Sequence, residues 1–164
     1  MKLISKALAL ARSMQPWAQT LVLLGLRLHI AQVFFLSGLT KIRDWDTTLL
    51  LFREEYHVPL LPPPVAAVMG AGGELVLPVL LVAGLFGRFA ALGLFVVNLV
   101  AALSYPGLTE AGLQQHFYWG VLLAVLAAFG SGKIALDAWA CRWLGRWAST
   151  CAAAGCAAGG GAKP

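Results

Sequence analysis

The sequence is poor in charge and in the polar surface that a water-soluble chain of its length would carry. Only 12% of its 164 residues are charged, against 60% apolar, and the mean hydropathy is +0.79. A soluble domain of this size needs far more polar surface around its core, so the excess apolar side chains must face lipid. Phosphate-binding signatures are missing too: neither GxxxxGK[ST] nor GxGxxG occurs. CxxC is absent and no histidines stand at metal spacing, so no metal site is expected. The three cysteines, Cys141, Cys151 and Cys156, crowd the C-terminal end and read first as incidental thiols. A redox or metal-handling Cys151/Cys156 pair is the sharper alternative, though a cytoplasmic tail does not favour a stable disulfide. The net charge of +5 comes mainly from residues at the ends of apolar segments. Such residues orient a chain in a membrane, so nucleic acid is not an expected partner.

What is present is long apolar runs. Crossing about 30 Å of hydrocarbon takes roughly 20 helical residues. Four segments approach or reach that length, about Trp17 to Leu39, Pro63 to Phe86, Phe89 to Tyr105 and Gln115 to Leu136. They lack the alternation of barrel strands. The fold class expected is an all-α membrane protein, a four-transmembrane-helix bundle. Residues 1–16 are read as a short amphipathic interfacial helix on the cytoplasmic side, because Lys6 and Arg12 interrupt the apolar stretch too early for a signal peptide. Residues 17–140 form the membrane domain, and 141–164 an Ala/Gly-rich tail expected to be disordered.

The connections differ in character. Residues 40–62 form the longest loop, and its LLLF segment predicts a short helix on the membrane surface. Pro63 and Pro64 suit the first turn of the second span. A tight turn at Gly87-Arg88 makes spans two and three a hairpin, and Pro106-Gly107 leads into the fourth. Lys2, Lys6, Arg12, Arg88, Lys133, Arg142, Arg146 and Lys163 fall on one side, against Lys41, Arg43 and Arg53 on the other. The positive-inside rule then places both termini in the cytoplasm of a multi-pass protein of the bacterial inner membrane.

Charge inside a bilayer is costly, about 2.5–3.5 kcal/mol even on the lenient insertion scale, so intramembrane polar residues are informative. Counted at 1.5 Å per residue from the cytoplasmic side, Arg27, Glu74 and Asn98 fall at about 15, 18 and 14 Å. One shared depth predicts an Arg27–Glu74 ion pair completed by Asn98, serving either as a structural clamp or as a polar pocket for a quinone headgroup or a proton. Pro78, four residues beyond Glu74, should free the Glu74 carbonyl from the helix ladder. His29 lies nearly opposite Arg27 and reads as a hydrogen-bonded side chain. His116, with Tyr118 and Trp119, reads as an interfacial aromatic belt or a quinone entry site. Lys133 and Asp137 are spaced to pair on span four.

Several motifs then stand in order: Arg27; Phe34, Phe35, Gly38 and Lys41; Gly73-Glu74; Leu85 to Arg88; and Gly130, Gly132, Lys133, Leu136 and Asp137. Over residues 20–140 this pattern resembles the DoxX family of small bacterial membrane proteins. The resemblance implies a four-helix bundle and a link to redox chemistry, since the family is named after a subunit of a thiosulfate:quinone oxidoreductase. It singles out Arg27, Gly38, Lys41, Glu74, Gly87 and Arg88, without a catalytic set. The leading expectation is an accessory subunit of a membrane redox system, with quinone as ligand and membrane lipid and an oxidoreductase subunit as partners. A small-solute transporter, with a homo-oligomer making up for few spans, and an assembly factor without ligand are the alternatives. No redox cofactor site for an autonomous enzyme is evident.

Overall fold

The computed structural model describes residues 2–130 and Leu136, with side chains from Met14 onward except that of Pro16. The described part is helical, without strands: α1 (Lys2–Arg43), α2 (Trp45–Glu54), α3 (Pro63–Ala83), α4 (Gly87–Ser104) and α5 (Glu110–Phe129). Among the described residues, three stretches are long and apolar enough to cross a membrane, namely Trp17–Arg43, Pro63–Ala83 and Gly87–Ser104. The fourth expected span, Gln115 to Leu136, corresponds to α5, which begins five residues earlier with a polar first turn around Glu110, Gln114 and Gln115. The Lys133–Asp137 pair and the three cysteines lie outside the described residues.

Two boundaries differ from the sequence expectation. The N-terminal segment is not a separate helix, because α1 runs unbroken for 42 residues, about 63 Å at 1.5 Å per residue. Lys6 and Arg12 interrupt its apolarity but are good helix formers, so the helix does not stop there. The turn between α3 and α4 is Gly84 to Phe86, and Gly87 and Arg88 already belong to α4. Gly84 takes a left-handed conformation at φ 70°, and the Leu85 N–H returns to the Leu80 carbonyl at 3.1 Å. This closure satisfies carbonyls that the end of α3 would otherwise expose.

Other local signals act as read. Pro63 and Pro64 open α3, where a missing N–H costs nothing. The loop segment does form a helix, α2. Asp44 caps it, accepting from the Thr47 N–H at 3.1 Å and the Thr47 hydroxyl at 2.7 Å. These bonds hold the Asp44 carboxyl below its usual range. Thr109 caps α5 through the Gly112 N–H at 3.2 Å.

The helices form a ring in which α1 and α4 each touch both α3 and α5. Its core joins Ile30 and Phe34 of α1, Leu81 of α3, Ala90, Ala91 and Leu94 of α4, and Leu123 and Leu126 of α5. The outer faces remain apolar, with Val68, Val76, Leu92 and Val121 exposed, as suits helices bathed in lipid. Small residues set the approach of the helices. A Cβ on Gly38 would meet the Leu75 Cγ at 2.9 Å and the Glu74 Cβ at 3.1 Å, and one on Gly93 would meet Leu77 at 2.9 Å. Gly25 and Gly72 face open space. Gly38→Leu should therefore force α1 from α3 and destabilise the fold by about 1–3 kcal/mol in detergent unfolding. Gly25→Ala and Gly72→Ala should leave the transition unmoved or slightly raised, and equal losses in all three variants would contradict this packing.

Candidate functional site

Antiparallel packing of α1 on α3 decides which polar groups meet. Gly38 touches Glu74 and Leu75, so Lys41, three residues on, overlies the same turn. Its Nζ lies 2.6 Å from Glu74 Oε2 and donates to Ser37 Oγ at 3.0 Å. The Glu74 side chain is 8% exposed and that of Lys41 20%, so the pair is largely desolvated. Each charge makes the other tolerable there.

Arg27 therefore does not meet Glu74, contrary to the shared depth counted from the sequence. It lies level with the last turn of α3, seven residues and about 10 Å further along that helix. Its Nε donates to the Leu81 carbonyl at 2.8 Å and its Nη2 to the Val82 carbonyl at 2.5 Å. A guanidinium suits this place, because the C-terminal turn of a helix presents unsatisfied carbonyls and the negative end of the dipole. Arg88 is at the same end of the bundle, its guanidinium beside Gly130. His29 is exposed on the outer face of α1.

Asn98 belongs to neither charge. It reaches across to α5, where Nδ2 donates to the His116 carbonyl at 2.9 Å and Oδ1 lies 2.8 Å from His116 Nδ1. Gly120 lies beside this pair, where an added Cβ would stand 3.5 Å from Asn98 Nδ2, an ordinary contact distance. His116 also meets Trp119 edge-on at 5.2 Å, and Trp119 in turn packs on Phe34 at 5.9 Å.

The Lys41–Glu74 pair and His116, with Asn98 behind it, line one cavity of about 400 Å³ at the end of the bundle covered by α2; Asn98 itself is not in the wall. Lys41, Glu74 and Ser37 stand on its α1–α3 side, and His116 and Ser104 on its α4–α5 side. The remaining wall is apolar and includes Val33, Phe34, Val97 and Trp119. A cavity of this size, mostly apolar with a few convergent polar groups, is the usual form of a small-molecule site. Toward the loops it is roofed by a stack of Phe52 on Tyr56 at 4.8 Å and of Tyr56 on Tyr105 at 5.2 Å. The His57 N–H donates to the Ser104 carbonyl at 2.8 Å and the Thr48 hydroxyl to the Lys41 carbonyl at 2.9 Å, which fastens the roof to α4 and α1. Burial, and then the Glu74 charge, push the Tyr56 phenol up from its usual range. Tyr56, Ser104 and Ser37 carried no signal in the sequence; a hydroxyl at a helix end is commonplace until its neighbours are known.

Ser104 Oγ is the one buried side-chain N or O atom among the described residues without a hydrogen-bond partner. The oxygen has almost no accessible surface, so the hydroxyl is enclosed beside the cavity rather than open to it. No group of three His, Cys, Asp or Glu side chains able to hold a metal occurs among the described residues.

The family model described as DoxX matches residues 22–107, from within α1 to just past α4. An uncharacterized protein of Haemophilus influenzae is 32% identical over 124 residues, covering 70% of this chain and 80% of the relative. The chain belongs to the DoxX family. No solved structure matches it. Within this DoxX chain the residues that carried the resemblance divide between the two ends of the bundle. Gly38, Lys41 and Glu74 build the cavity, while Arg27, Gly87 and Arg88 gather where α3 turns into α4.

Removing one partner of the ion pair should expose how far the site depends on it. Lys41→Met leaves the Glu74 carboxylate buried and uncompensated, and should cost about 3 kcal/mol, the low end for a buried pair because Lys41 keeps some solvent. Adding Glu74→Gln to that variant should recover more than half of the loss in detergent unfolding. A double variant no better than Lys41→Met alone would show that the pair is not what holds this end together.

Proposed function

We infer that this DoxX protein is an accessory subunit of a membrane redox system and that its cavity holds a quinone headgroup. The observation that carries the reading is the cavity itself, ring-sized, apolar on most sides, with an ammonium, a carboxylate and an imidazole converging on it. A quinone offers two oxygens at opposite edges of an apolar ring. Lys41 keeps one N–H beyond those used on Glu74 and Ser37, a donor for a carbonyl oxygen on the α1–α3 side, and His116 faces the ring from the α4–α5 side. The electrons come from a partner oxidoreductase subunit.

In this reading α5 is a fourth crossing. Its face away from the core carries Leu113, Phe117, Val121 and Phe129, all exposed and apolar. The cavity then lies toward the outer leaflet, Arg27 and Arg88 lie at the cytoplasmic end, and the N-terminus is cytoplasmic, as the lysine and arginine distribution favours.

Gentle extraction from native membranes into nanodiscs, followed by mass spectrometry, tests the proposal. About one quinone per chain, lost in a Glu74→Gln, His116→Phe double variant that still folds, is the expected result, together with a co-purifying oxidoreductase. Clean protein carrying lipid alone would overturn it.

A further inference from the structure

The hydrogen bonds around Asn98 fix more than a position. A backbone carbonyl can only accept, so the Asn98 atom facing the His116 carbonyl is the NH₂ group. The atom facing the imidazole is then the amide oxygen, which also only accepts, and His116 Nδ1 must carry the hydrogen. In the neutral ring, Nε2 is left with a lone pair and is an acceptor. No partner within the described residues takes it up, and the ring lines the cavity.

The cavity also has a mouth. Of the residues lining it, Met69 of α3 and Val96 of α4 are exposed on the outer face of the bundle, at 59% and 57%. The α3–α4 hairpin is tight near its turn, where Gly93 meets Leu77 and Gly73 meets Val97. Beyond Gly73 the lining passes to Met69 and Gly70 on one helix and Val100 and Ala101 on the other, so the cavity reaches between the two helices there. This gap faces the lipid side, while the aromatic stack covers the side toward the loops.

We propose that the cavity takes its ligand sideways from the bilayer through the gap between α3 and α4, in a hydroxyl-bearing form, and that His116 Nε2 accepts the hydroxyl hydrogen bond. The inference rests on the quinone reading above and makes it specific: the reduced, hydroquinone form is favoured, with its hydroxyl on His116 and its other oxygen toward Lys41. Asn98 is a positioning residue, acting through the imidazole by holding the hydrogen on Nδ1. The tail of the ligand leaves past Met69 and Val96 into lipid.

The full chain in lipid nanodiscs, stripped of native quinone, tests this with a decyl-substituted benzoquinone and its hydroquinone under anaerobic conditions. The hydroquinone should bind about 5- to 10-fold more tightly, the worth of one buried hydrogen bond. His116→Phe should remove that preference, whereas His116→Gln, which keeps an acceptor oxygen, should retain most of it. Asn98→Asp places a carboxylate on Nδ1, favours the charged ring whose Nε2 donates, and should swing the preference toward the quinone. Met69→Trp and Val96→Trp, at exposed positions outside the core, should slow association several-fold with little change in final affinity. Equal affinity for both forms in the native chain, or a preference unmoved by His116→Phe and Asn98→Asp, would overturn the hydroxyl assignment while leaving the quinone reading intact. Unchanged association in both tryptophan variants would overturn the lateral route. If neither form binds, the quinone reading falls and this inference falls with it.

Discussion

The structure is organised around one constraint, the need to keep the Glu74 carboxylate, on a helix otherwise suited to hydrocarbon, beside a compensating charge. Lys41 supplies it from the last turn of α1, where the cation also faces the negative end of its own helix dipole. Contact at 2.6 Å requires α1 and α3 to approach closely, and that requires Gly38, against whose missing side chain Glu74 and Leu75 sit. With α1 pinned to α3 at this level, antiparallel geometry carries Arg27 to the end of α3, where the only backbone acceptors left over are those of its last turn. The two cations of α1 thus answer two different problems on α3, one electrostatic and one of unsatisfied carbonyls.

The same constraint explains which parts of the chain could be read in advance. Helix existence was legible because apolar runs of near-membrane length, Pro63-Pro64 at a helix start and the LLLF segment of the long loop are local signals. The importance of Glu74 and Asn98 was legible because polar groups are rare in such runs. Their partners were not. Counting depth from a common plane assumed that the spans begin together, yet α1 is longer than any bilayer and its ends mark no plane. A slip of about 10 Å along α3 is enough to exchange Arg27 for Lys41, and that register is set by glycine contacts between helices far apart in sequence. Lys41 was visible as part of a motif and as a residue just past the counted span, but nothing local says that it folds back onto Glu74.

Asn98 shows the same limit in another form. Its depth grouped it with Glu74, whereas its side chain turns to α5 and closes a two-bond ring with His116. Two helices that share a level need not share a face. The face of α4 that meets α3 carries Gly93 and Val97, while the face that meets α5 carries Phe95 and Asn98, both near Gly120. Each polar pair sits next to a glycine. Close approach and polar pairing go together at Gly38, where an added Cβ would meet Leu75 at 2.9 Å, whereas at Gly120 a Cβ would find room at 3.5 Å from Asn98.

The two ends of the bundle put their polar groups to different use. At the α3–α4 turn the polar groups are directed at backbone: Arg27 at two carbonyls, the Leu85 N–H at another, with Gly84 giving the chain its reversal. Such bonds close the end of a helix and leave little for a ligand. At the α2 end the polar groups are directed at each other in pairs, and pairs of side chains retain spare capacity. Among the described residues, Lys41 has a third hydrogen and His116 has Nε2 left without a partner. In a low-dielectric setting that spare capacity is unfavourable unless something fills it. Replacing His116 by leucine would strip the buried Asn98 oxygen of its partner, so the imidazole serves the fold through Nδ1, while Nε2 has no partner among the described residues. A spare ammonium hydrogen and a spare imidazole nitrogen on one space, under a roof tied down at both edges, are the features on which the proposed ligand reading rests.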